Sequence, residues 1–318
     1  MIANTALFSL IFSLEIAFVK TLSAFIFLCC CFNASVTWAE SPESFDLIDD
    51  DGVEHHFSGP VKRIVSLMPH GTELLFEVGA GDLIVGAVDY SDYPEAAKKI
   101  PRIGGYSGMN IEAILALQPD IVLAWPEGNP NRELQKLAAL GVPLFVSDPV
   151  TFDGIAVNLE RLGILTGHKE QGAAAARALR QQVNRLRQTY QHTARVQVFY
   201  QVWNQPLITQ NGDTFISQAI DLCGGSNVFA DLDIRAPHIN MEAVLVADPD
   251  VIVASGMGES RPEWLDDWKK FPNLTAVKYA NLFHIHPDLF HRPTSRFLQG
   301  TQQLCEHLTT AREHMAAK

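Results

Sequence analysis

Residues 108–125 read GMNIEAILALQPDIVLAW, and residues 238–255 read HINMEAVLVADPDVIVAS. The two stretches align without a gap and share seven residues at matching places: Asn, Glu, Ala, Leu, Pro, Asp and Ala. In each stretch an asparagine stands where a helix begins, and a Pro-Asp step separates that helix from an apolar run typical of a buried strand. The repeat therefore predicts two similar α/β lobes.

Apolar runs alternate with amphipathic stretches on both sides of this repeat. Strands are predicted at RIVSL (63–67), LIVGAV (83–88), DIVLAW (120–125), VPLFVSD (142–148) and RVQVFYQV (195–202). Strands that alternate with helices are typical of mostly parallel sheets. The fold class predicted is α/β, with two Rossmann-like lobes.

One stretch between the lobes has a different composition. Residues 169–193 are rich in Ala, Arg, Gln and Leu and contain no proline, so they predict one long helix that joins the two lobes. An ordinary surface helix is the alternative. The predicted organisation is a signal peptide over 1–39, a lead-in segment over 40–61, an N-terminal lobe over 62–168, the linker helix over 169–193 and a C-terminal lobe over 194–318.

The N-terminus indicates export. After Lys20 an apolar core leads to Thr37 and Ala39, which suit the small-residue exit of a signal peptide cleaved before Glu40. An uncleaved anchor is the alternative. No later run reaches the roughly 20 apolar residues that span a bilayer, so we expect a soluble mature chain in the periplasm. A net charge of -12 argues against nucleic acid as a partner.

Removal of residues 1–39 would leave two cysteines, Cys223 and Cys305. An even number in an oxidising compartment favours a disulfide between them, with two separate buried thiols as the alternative. Catalytic signatures are missing from the sequence: it has no nucleophile elbow, no phosphate-binding loop and no HExxH. We therefore expect a binding protein without cofactor or catalytic residues.

Two sets of polar residues could have either a structural or a functional role. Glu112 and Glu242 stand in the first turn of the repeated helix, where the helix dipole alone could explain them, although they could also present one acidic point per lobe. His284, His286 and His291 cluster near Asp288, which could suit a metal site or a secreted metalloenzyme, but histidine is ordinary in strands and loops. We predict no metal site.

Aromatic residues give a clearer pattern. Tyr90, Tyr93, Tyr106, Trp125 and Phe290 follow predicted strands or lie in loops. Ligands bind at the carboxyl ends of strands in open α/β sheets, so these rings predict a small-molecule cleft between the lobes. The alternative is that each ring fills the core of its own lobe.

From about Lys62 onwards the chain resembles the cobalamin-binding proteins of ABC importers, a class whose two lobes share one rigid helix and which includes siderophore and haem binders. The likeness is carried by segments spread through both lobes: YSDYP (90–94), GMNIEAILALQPDIVLAW (108–125), LCGGSNVF (222–229), NMEAVL (240–245), DLFHR (288–292) and QQLC (302–305). The resemblance implies a corrinoid ligand, an importer permease as partner and no catalysis. We expect a monomer.

The resemblance also implies roles for particular residues. The predicted ligand site combines residues at positions that contact ligand in the family with aromatic residues of the cleft. It consists of Tyr90, Tyr106, Trp125, Asp288, Leu289, Phe290, His291 and Arg292. Glu112 and Glu242 match carboxylates that dock on arginines of the permease, and Cys223 and Cys305 match the family's disulfide. Tyr106, Ala236 and Leu289 stand where the family has tryptophan, so haem, a ferric siderophore or a metal ion stays an alternative ligand.

Overall fold

The computed structural model describes residues 44–105, 108–256 and 260–317. The predicted signal peptide therefore lies outside the described residues, as does Tyr106. Within the described ranges no helix is both long and apolar enough to cross a membrane.

Two parallel four-stranded sheets form the framework. The first has the strand order β4-β3-β7-β8, and the second has the order β12-β9-β13-β14. The strands are β1 (Phe45–Ile48), β2 (Glu54–Phe57), β3 (Ile64–Ser66), β4 (Ile84–Ala87), β5 (Gly104–Gly105), β6 (Gly108–Met109), β7 (Ile121–Ala124), β8 (Leu144–Val146), β9 (Val196–Gln201), β10 (Trp203–Asn204), β11 (Leu207–Ile208), β12 (Gly225–Asn227), β13 (Val251–Ala254) and β14 (Leu282–His284). The five strands predicted from apolar runs are all present.

Helices cover the sheets and connect them. They are α1 (Pro69–Glu77), α2 (Ile111–Ala116), α3 (Asn131–Ala139), α4 (Phe152–Thr166), α5 (Lys169–Tyr190), α6 (Phe215–Leu222), α7 (Met241–Ala247), α8 (Thr275–Lys278), α9 (Pro287–Phe290) and α10 (Phe297–Ala316). Short 3-10 helices occupy Gly81–Leu83, Glu95–Lys99 and Glu263–Lys270. The predicted fold class is confirmed: two lobes with parallel sheets are joined by a long helix.

That long helix is α5, which spans about 33 Å at 1.5 Å per residue. It starts beside the first lobe, where a Cβ on Gly79 would lie 3.4 Å from the ring of His168, and it ends beside Gly224 in the second. The helix stops at Tyr190 because the Tyr190 carbonyl accepts both the backbone N–H and the hydroxyl of Thr193. The domain boundaries given above stay predictions.

Helix α4 was not predicted, and it packs along α5. At their crossing, a Cβ on Gly163 would lie 2.9 Å from the Cα of Gly172, so the backbones approach more closely than larger side chains would allow. The ring of Phe152 packs 5.3 Å from that of Phe297 in the second lobe, whereas Arg161 pairs with Asp50 beside the first sheet. Both helices therefore brace the two lobes.

The sequence repeat is a structural repeat. Strand β7 pairs with β3 and β13 pairs with β9, each in parallel register. Asp120 accepts hydrogen bonds from the backbone N–H groups of Lys62 and Arg63 at 2.7 and 2.9 Å, and Asp250 accepts one from Gln197 at 2.7 Å. The Pro-Asp step thus ties each repeated helix to the start of the neighbouring central strand.

Candidate functional site

A cleft lies between the lobes at the carboxyl ends of both sheets, where open α/β folds hold ligands. Its cavity has a volume of about 270 Å³. Trp125 follows β7 and Asp148 follows β8 on one wall, while Val202 follows β9 on the other. The remaining lining residues are Glu127, Pro149, Val150, Gln210, Thr214, Phe215, Ile216, Arg235, Ala236, His291 and Pro293.

Trp125 forms part of the first wall. Its indole Nε1 donates to Asp148 Oδ1 at 3.0 Å, and its ring meets the His70 ring edge-on at 5.1 Å. The ring is partly buried, so one side packs on the hydrophobic core while part of its surface borders the cavity. Trp125 therefore does both things that the sequence left open: it packs on the core of its lobe and it lines the cleft.

His291 forms part of the second wall. Its Nε2 lies 2.7 Å from the hydroxyl of Tyr200, a residue with no exposed surface. Burial lowers the pKa of His291 to about 4, so the imidazole is neutral near pH 7. Burial likewise raises the pKa of Tyr200. This wall offers an uncharged polar group to a ligand.

Phe290 lies under the cleft and not on it. The ring has no exposed surface and packs 5.5 Å from Tyr200 and 5.1 Å from Phe297. The geometry therefore does not favour the predicted contact between Phe290 and a ligand, because the ring is enclosed in the core and none of its surface is accessible. The alternative reading of this aromatic, a core residue, describes its place.

Ion pairs cross the mouth of the cleft. The guanidinium of Arg235, in the second lobe, lies 2.7 Å from Glu127 Oε1 and 3.2 Å from Asp148 Oδ2, both in the first lobe. All three side chains are partly exposed. One cation therefore stands between two carboxylates.

A second and deeper network also joins the lobes. Arg292 pairs with Glu73 at 2.8 Å, Asp92 at 2.9 Å and Asp288 at 2.9 Å, and Arg296 reaches Glu73 at 3.1 Å. Glu73 is 4 % exposed, and burial raises its pKa while the two guanidinium groups oppose that rise. A buried carboxylate of this kind depends on its partners, because an unpaired charge in such a place is costly.

The other predicted ligand residues lie elsewhere. Tyr90 is 75 % exposed with φ at 63°, and Leu289 is half-buried; in the described part of the chain neither borders the 270 Å³ cavity. Tyr93 carries the guanidinium of Arg296 over its ring at 3.8 Å and borders a separate cavity of about 700 Å³ between α1, α5 and α10. The structure therefore brings Trp125 and His291 together, joins Asp288 to Arg292, and leaves Tyr90 and Leu289 apart.

Sequence reasoning missed the charged residues of the cleft mouth. Glu127, Asp148 and Arg235 stand in three separate loops, and no motif links them. The available signal was position in the sequence: Glu127 follows a predicted strand and Asp148 ends one, as many surface residues do.

Glu112 and Glu242 occupy equivalent exposed positions on α2 and α7. The preceding asparagines cap the two helices in the same way: the side chains of Asn110 and Asn240 accept from the backbone N–H groups three residues later at 2.9 and 2.8 Å. Neither glutamate forms an ion pair with the described residues. The helix-capping explanation therefore covers the asparagines and leaves the carboxylates free for another contact.

The histidines of the second lobe do not converge. His286 accepts the backbone N–H of Asp288, His291 faces Tyr200, and the carbonyl of His284 accepts from the ring of His307 at 3.3 Å. Across the ranges that the structure describes, no group of three or more His, Cys, Asp or Glu side chains is placed to hold a metal ion. The geometry gives the metalloenzyme hypothesis no support.

The predicted disulfide is confirmed. Cys223, at the end of α6, is bonded to Cys305 on α10, with their Cα atoms 4.7 Å apart. Both residues are fully buried. The bond ties two helices that pack on the same side of the second sheet.

Comparison with known proteins places the chain among binding proteins. Residues 64–289 match the model of a family described as periplasmic binding protein. A vitamin B12-binding protein of Vibrio campbellii is 37% identical over 256 residues, which cover 80% of this chain and 92% of the relative. One of Yersinia pestis is 41% identical over 249 residues, covering 78% and 87%.

Solved structures agree with the fold. The periplasmic vitamin B12 binding protein BtuF of Vibrio cholerae matches with a TM-score of 0.73 and 37% identity, covering 80% of this chain and 98% of that one. The periplasmic heme-binding protein RhuT from Roseiflexus matches with a TM-score of 0.69 and 24% identity, covering 79% and 98%. At that lower identity the likeness concerns the fold alone.

Proposed function

The chain belongs to the periplasmic binding protein family, and from that premise we propose that it captures cobalamin or a related corrinoid in the periplasm and delivers it to an ABC importer. The observation that carries the proposal is the cleft between the lobes, in a chain that shares 37–41% identity with proteins named for vitamin B12 binding. No chemistry on the ligand is part of the proposal.

The residues proposed to contact the corrinoid are Trp125 and His291 in the cleft, with Asp288 and Arg292 beside it. Trp125 supplies an aromatic surface, and the neutral imidazole of His291 supplies a hydrogen-bonding group. Tyr90, Tyr106 and Leu289 stay proposed contacts from the family resemblance. Phe290 is proposed as the support on which this wall rests.

Ligand entry requires the cleft to widen. A cavity of about 270 Å³ is smaller than the roughly 300–1,000 Å³ that drug-sized ligands occupy, and a corrinoid is larger than those. The contacts that hold the mouth closed are the ion pairs of Arg235 with Glu127 and Asp148. We propose that these pairs break as the ligand enters, while α4 and α5 limit the movement of the lobes to a small hinge.

Glu112 and Glu242 are proposed as the contacts with the importer. They stand at the same place in each lobe, both are exposed, and exposed apolar side chains accompany them: Leu115 on α2, and Met241 and Val246 on α7. A pair of equivalent acidic points suits a permease that presents paired arginines.

Equilibrium dialysis tests the ligand assignment. Purified protein is dialysed against cobalamin, haem or a ferric hydroxamate, and the retained ligand is read from its visible absorption bands. The proposal expects retention of cobalamin in a one-to-one ratio at micromolar concentration. Retention of haem or the iron chelate, without retention of cobalamin, would contradict the cobalamin assignment and would not affect the assignment of the fold.

A further inference from the structure

The charged groups that border the cleft have an uneven balance. Glu127 and Asp148 contribute two carboxylates, and Arg235 contributes one guanidinium. Among the described residues that line the cavity, the other titratable group is His291, which is neutral near pH 7. The cleft therefore carries one excess negative charge where a ligand would enter.

The deeper network adds to this imbalance. Glu73, Asp92 and Asp288 contribute three carboxylates, against the guanidinium groups of Arg292 and Arg296. Arg292 directly follows His291 and precedes Pro293, both of which line the cleft. The two networks together leave the site with more carboxylates than cations, and clefts with low-dielectric walls strengthen such a field.

We propose that Glu127 and Asp148 are specificity-determining residues that exclude anionic metal chelates from the cleft. This inference rests on the proposed function and narrows its ligand class to corrinoids without net negative charge. Haem carries two propionates, whereas cobalamin carries no net negative charge. The same fold occurs in haem-binding proteins such as RhuT, so the shape of two lobes alone does not separate these ligands.

Arg235 does not offset the exclusion. Its guanidinium already pairs with both carboxylates. With haem in the opened cleft, this one cation would face four carboxylates, two from the protein and two from the ligand, which is unfavourable. Discrimination thus comes from repulsion of the wrong ligand as much as from attraction of the right one.

Neutral substitutions test this inference. Glu127→Gln and Asp148→Asn each remove one negative charge, and the asparagine oxygen can still accept from the indole of Trp125. We expect each variant to bind haem about tenfold more tightly than the wild type. The ratio of haem affinity to cobalamin affinity should rise about threefold or more, because a weakened mouth pair opens for both ligands whereas charge repulsion is relieved for haem alone. Affinities are measured by titration with haem and cobalamin, and thermal unfolding verifies that each variant is folded.

Asp221→Asn is the matched control. Asp221 pairs with Arg195 at 2.8 Å on an exposed surface outside the cleft, so this change alters net charge equally without altering the site. Its haem affinity should equal that of the wild type. Haem affinities of Glu127→Gln and Asp148→Asn within twofold of the wild type would overturn the inference. Cobalamin titration of the wild type separately decides the proposed function.

Discussion

His70 shows how a single residue supports the cleft wall. It is 2 % exposed, its Nε2 has no hydrogen-bond partner among the described residues, and its ring lies edge-on to Trp125. Burial lowers the pKa of His70 to about 4, and the charge of Arg292 acts in the same direction. The imidazole is therefore kept neutral beneath the tryptophan proposed to contact the ligand.

This burial predicts a pH dependence of stability. The pKa of His70 falls from 6.5 in the unfolded chain to about 4 in the folded one, so below pH 6.5 the unfolded chain binds a proton that the folded chain does not. Stability from this residue is complete above pH 6.5 and is lost as the pH falls towards 4. Near pH 4.5 the loss amounts to about 2.5 kcal/mol of unfolding free energy.

The measurement is chemical denaturation at pH 7.5 and pH 4.5 of the wild type and of His70→Gln, which does not titrate. His291 and Glu73 titrate in both proteins, so the difference between them isolates His70. The variant should lose less unfolding free energy between the two pH values than the wild type. If the wild type and the variant lost the same unfolding free energy, burial would not lower the pKa of His70 as described.

At the scale of elements, the repeated helix and strand explain both architecture and docking. Asparagines cap the starts of helices α2 and α7, and each helix is followed, just before its Pro-Asp step, by a residue with positive φ: Gln118 at 46° and Asp248 at 40°. The two units therefore present Glu112 and Glu242 from the same position in equivalent elements. Local capping fixes the backbone, so the carboxylates can be changed without loss of the helix start.

Charge reversal tests the docking role. Glu112→Lys together with Glu242→Lys should leave cobalamin affinity unchanged, because neither residue borders the described cleft. Importer-dependent uptake should fall to background, since like charges would then meet the permease. The readout is uptake of labelled cobalamin in cells that depend on this protein.

Glu170→Lys is the control for that experiment. Glu170 is exposed in the first turn of α5, outside the proposed docking surface. Reversing its charge removes a favourable interaction with the helix dipole similar to the one lost at Glu112 or Glu242. Uptake should persist in this variant. Normal uptake in the double variant would remove Glu112 and Glu242 from the interface.

Sequence patterns predicted those elements that are encoded locally. The buried strand at Ile121–Ala124 and the linker helix at Lys169–Tyr190 follow from apolar runs and helix-forming composition. Helix α4 was missed although Phe152, Ile155 and Leu159 repeat at helical spacing, because its two glycines weaken the helix signal. The cleft-mouth pairs of Arg235 could not be predicted, because Glu127 and Asp148 lie about 110 and 90 residues away in sequence and meet it only when the lobes pack.

At the scale of the whole molecule, three kinds of contact among the described residues join the lobes. Helices α4 and α5 brace both lobes, the Glu73–Arg292 pair is buried between them, and the Arg235 pairs close the cleft mouth. The disulfide between Cys223 and Cys305 strengthens the second lobe internally. Movement is therefore expected at the mouth, where the contacts are exposed and weak, rather than at the bracing helices.

The cleft between the lobes is proposed to hold cobalamin. Ala236 is exposed on the cleft wall where the related family has tryptophan, so Ala236→Trp adds an aromatic surface at the proposed site. Isothermal titration of cobalamin should give one site per chain with micromolar or tighter affinity in the wild type, and tighter binding in Ala236→Trp. No saturable binding to either protein at micromolar concentration would contradict the claim.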